Sequence, residues 1–143
     1  MDHSTEENEL LVASIYDTAL KYGENLSKMT EVQRVVYLVE HLMQEVSSGA
    51  SFEQYFRWAS IEELKCLVPT LQQLGLNDVL LVVERAMGIA FPHGVPQTED
   101  EKQDLTEWSE EQEQLLDELC EPLESQYEQV INVLGEYVRE SGA

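Results

Sequence analysis

The sequence predicts an all-α fold, a compact single-domain bundle of about seven or eight helices. Several segments place apolar side chains at the i, i+3, i+4, i+7 spacing of an amphipathic helix. At several predicted helix starts a Ser or Thr precedes a Glu or Gln by three positions, which is the spacing of a capping box. Apolar residues make up 43% of the 143 residues, enough for one hydrophobic core. We therefore predict a single helical domain over residues 1–143.

The clearest helix runs from Thr30 to Val46. Its apolar stripe consists of Val32, Val35, Val36, Val39, Leu42, Met43 and Val46. The adjacent pair Val35 and Val36 breaks the alternation that a strand would require, so the period favours a helix. Thr30 is a suitable N-cap and the segment 47–49 a suitable stop. A less regular opening helix is predicted from Glu6 to Tyr22, ended by Gly23.

Three helices are predicted between the Thr30 helix and a loop at residues 91–96. The first is a short aromatic segment with Ser51 as its N-cap, and its large side chains are expected in the core: Phe52, Tyr55, Phe56 and Trp58. The second runs from Ser60 to Gly75, and Pro69 either kinks or divides it. The third, residues 78–90, is apolar on nearly every side, which indicates the buried centre of the domain.

Three further helices are predicted beyond that loop. A short one covers residues 98–104, a longer one starts at Ser109 and ends near Cys120, and a last one carries an apolar stripe to the C-terminus. Capping boxes predict four of the helix starts, with the pairs Ser60 and Glu63, Thr98 and Glu101, Ser109 and Gln112, and Ser125 and Glu128. Pro122 is expected to break the acidic segment into two helices.

The formal net charge of −21 excludes nucleic acid as a direct partner, because a polyanion is bound through a basic footprint. The same charge argues against a membrane surface. No uncharged apolar run is long enough to span a bilayer, and the first residues lack the basic and apolar regions of a secretory signal. We therefore expect a cytoplasmic protein that binds neither nucleic acid nor membrane.

The negative charge is concentrated after Pro96, where residues 97–143 hold 15 acids and two bases. The expected partner-binding carboxylates, which would mimic phosphates, are Glu107, Glu110, Glu111, Glu113, Asp117, Glu118, Glu121, Glu124 and Glu128. If the segment were helical throughout, its carboxylates would be spaced at about 3.7 Å, close to the roughly 3.4 Å between phosphates of one DNA strand. A solvated helix face, kept acidic for solubility alone, is the alternative.

No enzyme signature is found, and we predict no catalytic residue, no cofactor and no metal. Carboxylates are too abundant for any one pair to indicate an acid and base. His41 and Glu45 have the i, i+4 spacing of a metal pair, but the histidines are scattered and His41 is interpreted as a surface residue. Cys66 and Cys120 are interpreted as buried or half-buried small hydrophobes.

Several motifs in order resemble one bacterial family. The run from Glu45 to Phe56 is followed by Leu74-Gly75 and by the loop Phe91-Pro92-His93-Gly94-Val95-Pro96, and the chain ends with 115–119 and 134–138. This order resembles an all-helical family long described as a domain of unknown function, the bacterial DNA-mimic proteins of the Neisseria type. The likeness covers about residue 28 to the end.

The resemblance implies a non-enzymatic acidic protein that mimics DNA. Its partner would be a basic DNA-binding protein such as a helix-turn-helix transcription regulator, whose DNA-binding surface it occupies. An immunity-type inhibitor of a basic toxin or nuclease would use the same electrostatics, and a structural domain with acidity for solubility remains the third reading. The sequence leaves open whether the protein forms a homodimer.

Overall fold

The computed structural model describes residues 4–23, 25–47 and 51–142, and this part of the chain is helical with no strand. The helices are α1 Thr5–Ala19, α2 Glu31–Ser47, α3 Phe52–Trp58, α4 Ile61–Leu74, α5 Asn77–Ala90, α6 Glu99–Leu105, α7 Glu110–Glu118, α8 Cys120–Glu124 and α9 Tyr127–Glu140. Two short 3-10 helices, Leu20–Tyr22 and Leu26–Lys28, connect α1 to α2. The predicted all-α class is confirmed. The predicted stop at 47–49 falls mostly outside the described residues.

Helix α2 is the centre of the fold. It contacts α1, α3, α4, α8 and α9, and the six consecutive residues 35–40 are all buried. Burial around the whole circumference is what a central helix requires. The prediction that residues 78–90 form the buried centre is wrong. Helix α5 packs against α4, α7 and α8 and buries Val79, Val83, Ala86 and Ala90, whereas Leu81 is 52% exposed.

Local side-chain caps start most of the helices. Thr30 and Gln33 form a reciprocal capping box before α2, and Ser109 and Gln112 form another before α7. Ser60 and Thr98 each accept the backbone N–H three residues ahead, as predicted. The start of an α-helix leaves four backbone N–H groups without an acceptor in the helix. A reciprocal capping box provides acceptors for two of them, and a single side-chain cap provides one.

The predicted helix start at Ser125 is wrong. The Ser125 hydroxyl donates to the carbonyl oxygen of Pro122, and α9 begins at Tyr127 after Gln126, which provides no side-chain cap. Ser125 therefore ends α8 and does not open α9. A serine hydroxyl can bond to a carbonyl oxygen three residues earlier in place of an N–H group three residues ahead. The spacing between Ser125 and Glu128 therefore does not produce a capping box here.

The two prolines act differently. Helix α7 ends at Glu118, four residues before Pro122, because a proline has no N–H to donate to the carbonyl oxygen four residues earlier and its ring crowds that oxygen. The acidic segment is thus divided among α7, α8 and α9, and a continuous row of carboxylates on one helix does not form. Pro69, in contrast, lies exposed inside α4, which is not divided.

Helices α1 and α9 pack closely at a glycine. The Asn8 side chain is buried and lies against Gly135, where a Cβ atom would come within 2.8 Å of the Asn8 Cβ. Asn8 donates to the Asn132 side chain over 2.7 Å and accepts from Arg139. Because the amide is bonded on both sides, it is held in a fixed position between the helices.

Candidate functional site

The nine predicted carboxylates lie on the outside of the C-terminal third. Glu110, Glu111, Glu113, Asp117 and Glu118 are on α7, Glu121 and Glu124 are on α8, Glu107 precedes α7, and Glu128 lies in the first turn of α9. Eight of them are exposed and Glu113 is half-buried. Glu128 is apart from the others, since its carboxylate accepts a hydrogen bond from Thr5 at the start of α1.

No lysine or arginine occurs between Lys102 and Arg139, a stretch of 36 residues with 11 acids. Glu136, at the end of the stretch, lies 3.6 Å from Arg139, whereas the acids from Glu107 to Glu128 have no lysine or arginine within four residues in sequence. Helix α6 extends the charge, because its four acids are exposed as well: Glu99, Asp100, Glu101 and Asp104. The first turn of α6 holds Glu99, Asp100 and Glu101, and that of α7 holds Glu110, Glu111 and Glu113, where the helix dipole favours acids. Asp117 and Glu118 lie near the end of α7, where the dipole and like-charge repulsion are both unfavourable to them.

Helix α3 adds a carboxyl group that the sequence did not reveal. Glu53 hydrogen-bonds with Asp117 of α7, and the charge of Glu113 also faces it. Burial, followed by the hydrogen bond and the charge of Asp117, raises the pKa of Glu53 to about 7. One Glu53 oxygen is buried without a hydrogen-bond partner among the described residues. The contact joins residues far apart in sequence, so no local pattern indicates it.

The Glu53 pair predicts a pH dependence of stability. The folded protein keeps the Glu53 proton to a higher pH than the unfolded chain does. The protonated Glu53 carboxyl therefore contributes its full share of stability below about pH 4.5, and this contribution is lost as the pH rises to about 7. Glu53→Gln, which keeps a donor toward Asp117, should raise the melting temperature at pH 8 by about 3 °C and leave it nearly unchanged at pH 5. Contact with water limits the effect to roughly 1 kcal/mol.

The measurement is thermal unfolding of both proteins across this pH range by circular dichroism. The difference between the two melting temperatures isolates Glu53 from the other carboxylates, which titrate in both proteins. A difference that is the same at pH 5 and pH 8 would contradict the shared proton.

A second polar cluster, at the junction of α2, α3 and α4, is buried. The buried Glu63 carboxylate accepts a hydrogen bond from Tyr55 over 2.9 Å and is joined to His41 Nδ1 over 2.7 Å. His41 Nε2 lies 3.7 Å from Glu45. The interpretation of His41 as a surface residue is therefore wrong. Burial and the charge of Glu63 raise the pKa of Tyr55 well above its usual range. The cluster ties three helices together.

The remaining predicted positions are placed as follows. Cys66 and Cys120 are free and half-buried, as predicted, and burial raises the pKa of both thiols. Within residues 4–23, 25–47 and 51–142, no group of three or more His, Cys, Asp or Glu side chains has an arrangement that could hold a metal ion. No helix in the described part of the chain is long and apolar enough to cross a membrane.

The aromatic helix α3 is only partly in the core. Phe52, Tyr55 and Phe56 are fully buried as predicted, whereas Trp58 is 65% exposed, so the prediction for Trp58 is wrong. Four residues of one short helix cannot all face the core, because its apolar face covers only part of the circumference. Trp58 is the residue that points away.

A protein-family model matches most of the chain. The family described as "DMP19-like protein" matches residues 27–141, which agrees with the extent of the resemblance seen in the motifs. No curated protein and no solved structure matches the chain significantly.

Proposed function

Since the chain belongs to the DMP19-like family, which is a family of DNA mimics, we propose that it binds the DNA-binding surface of a basic protein and competes with DNA there. A helix-turn-helix transcription regulator is the proposed partner. The observation that carries the proposal is the surface of α7 and α8, where exposed carboxylates stand in a 36-residue stretch without a lysine or arginine. The proposed action is competitive binding without a chemical step.

The mechanism follows from the chemistry of carboxylates. A DNA-binding surface presents Arg and Lys side chains to phosphate oxygens, and a carboxylate offers two oxygens that an Arg guanidinium can bind in the same forked geometry. The net charge of −21 also speeds the encounter with a positively charged surface. Because α7 and α8 pack against α2, α3 and α5, the backbone positions from which the carboxylates project are set by the fold.

The proposal is tested by competition. The protein is used to isolate a DNA-binding protein from its native host at low salt, and the purified candidate is bound to a labelled duplex carrying its operator. Increasing amounts of the acidic protein should release the duplex, and the affinity between the two proteins should fall by roughly tenfold between about 50 mM and about 200 mM salt. The acidic protein alone should not shift the duplex.

Two results would contradict the proposal. The first is a complex of all three components, because a mimic and DNA cannot occupy one surface together. The second is isolation of a basic toxin or nuclease, and of no DNA-binding regulator, as the partner. That result would favour an immunity-type inhibitor.

A further inference from the structure

A cleft of about 790 Å³ lies between α3 and α6. Its lining includes Gln54, Arg57 and Trp58 from α3, and Asp100, Lys102 and Gln103 from α6. Helix α3 lines this cleft together with the acidic helix α6, and it also contacts α7. Helix α3 therefore connects the cleft with α7, which is part of the surface proposed to bind a basic protein.

Trp58 is the unusual residue of the cleft. The other three aromatic side chains of α3 are fully buried, while the indole of Trp58 is 65% exposed. Leaving so large an apolar side chain in water forgoes the stabilisation that burial would give. Exposed tryptophans of this kind are common among the residues that contribute most to protein interfaces.

The two basic side chains of the cleft already have partners within the protein. The Arg57 guanidinium lies 5.1 Å from the ring centre of Trp108 and donates to the carbonyl oxygen of Thr106. The Lys102 ammonium is buried, donates to the carbonyl oxygens of Arg57 and Ala59, and lies 3.4 Å from Glu99. In the described part of the chain, no cation or aromatic ring stacks on Trp58.

We propose that this cleft receives an arginine side chain of the basic protein, with its guanidinium on the face of Trp58 and near the carboxylate of Asp100. The inference rests on the proposed function and names a specific contact within it. A planar guanidinium stacks on an indole and still donates hydrogen bonds from its edge, whereas a lysine ammonium is a compact and strongly hydrated charge. Glu99 and Asp100 are the acids of the cleft lining, and because Glu99 lies 3.4 Å from Lys102, Asp100 is the carboxylate left for the incoming guanidinium. The cleft thus favours arginine over lysine.

The test compares octa-arginine and octa-lysine peptides as probes, with affinities measured by titration calorimetry at about 50 mM salt. Both should bind the acidic surface, with octa-arginine the tighter. Trp58→Ala should reduce the ratio of the two affinities by about two- to fivefold, the contribution of one exposed cation–π contact. Asp100→Asn should reduce it in the same direction. The matched control is Tyr22→Ala, which removes an aromatic side chain, also exposed, away from the cleft and should leave the ratio unchanged.

A second measurement reports on Trp58 directly. The indole N–H signal of Trp58, identified by its loss in Trp58→Ala, should shift on addition of octa-arginine more than on addition of octa-lysine. An unchanged affinity ratio in Trp58→Ala together with an indole signal that does not move would overturn the inference, while binding of both peptides would leave the proposed function standing. If neither peptide binds, the proposed function and this inference both fail.

Discussion

The quadruple replacement Glu110→Gln, Glu113→Gln, Asp117→Asn and Glu121→Gln is expected to weaken competition with DNA by roughly tenfold to a hundredfold at physiological salt. Each exposed ion pair contributes about 0.2–1 kcal/mol, and a factor of ten corresponds to about 1.4 kcal/mol. The variant should also lose part of the salt dependence, because four of its charges no longer interact with the partner. The measurement is the concentration of natural or variant protein that releases half of the labelled operator duplex from the partner.

Folding of this variant should not suffer. Three of the four side chains are exposed, and Glu113 is half-buried beside Glu53. Removing the charges of Glu113 and Asp117 relieves their repulsion with Glu53, which offsets the loss of acids from the first turns of α7 and α8, so the melting temperature should change by no more than a few degrees. A loss of competition with an unchanged melting temperature thus reports on binding alone.

A matched control carries the same loss of charge elsewhere. The four replacements are Asp17→Asn, Glu62→Gln, Glu84→Gln and Glu140→Gln, all at exposed positions outside α7 and α8. If the position of the charges decides binding, the control should compete within about twofold to threefold of the natural protein, since only long-range attraction is reduced. Equal losses in both variants would reject α7 and α8 as the recognition surface and leave net charge as the explanation.

Gly135→Ala is expected to destabilise the protein by about 2–3 kcal/mol, which lowers the melting temperature by roughly 10 °C. The new Cβ atom would stand 2.5 Å from the Cγ and 2.8 Å from the Cβ of Asn8, so α1 and α9 must separate or the buried amide must leave its partners. Either change leaves polar groups of Asn8, Asn132 or Arg139 unsatisfied. This cost exceeds the roughly 1 kcal/mol that alanine gains over glycine within a helix.

Gly88→Ala is the matched control for this prediction. Gly88 also lies inside a helix, but a Cβ atom there meets no heavy atom within 4 Å. It should therefore stabilise the protein by about 0.5–1 kcal/mol through helix propensity alone. Thermal and urea unfolding of both variants gives the comparison. A Gly135→Ala protein as stable as Gly88→Ala would contradict the close approach of α1 and α9.

A double-mutant cycle with Asn8→Gly makes the test specific. Removing the Asn8 side chain should cost stability on its own, because its hydrogen bonds to Asn132 and Arg139 are lost. In the Asn8→Gly background, however, Gly135→Ala should be nearly neutral, since the atoms that it would meet are gone. A coupling of more than about 1 kcal/mol between the two positions is expected.

The sequence by itself determined the helical class, most helix starts and the family. The capping pairs Thr30 with Gln33 and Ser109 with Gln112 are three residues apart, so the hydrogen bonds that start these helices are local and can be read from spacing. The effect of Pro122 on the end of α7 is local in the same way. The charge of the C-terminal third is a matter of composition, and acids without basic neighbours remain in water, which is where eight of the nine predicted carboxylates lie.

Only the tertiary structure decided which helix is central and which side chains meet. The apolar residues of α5 and α2 look alike in sequence, yet α2 is surrounded by five helices and α5 leaves Leu81 in water. Helical period shows that a face is apolar and does not show which helix covers it. The pairs Glu53 with Asp117 and Asn8 with Asn132 join distant parts of the chain. They form because α3 packs on α7 and α1 on α9, and that packing depends on the shape of the whole core.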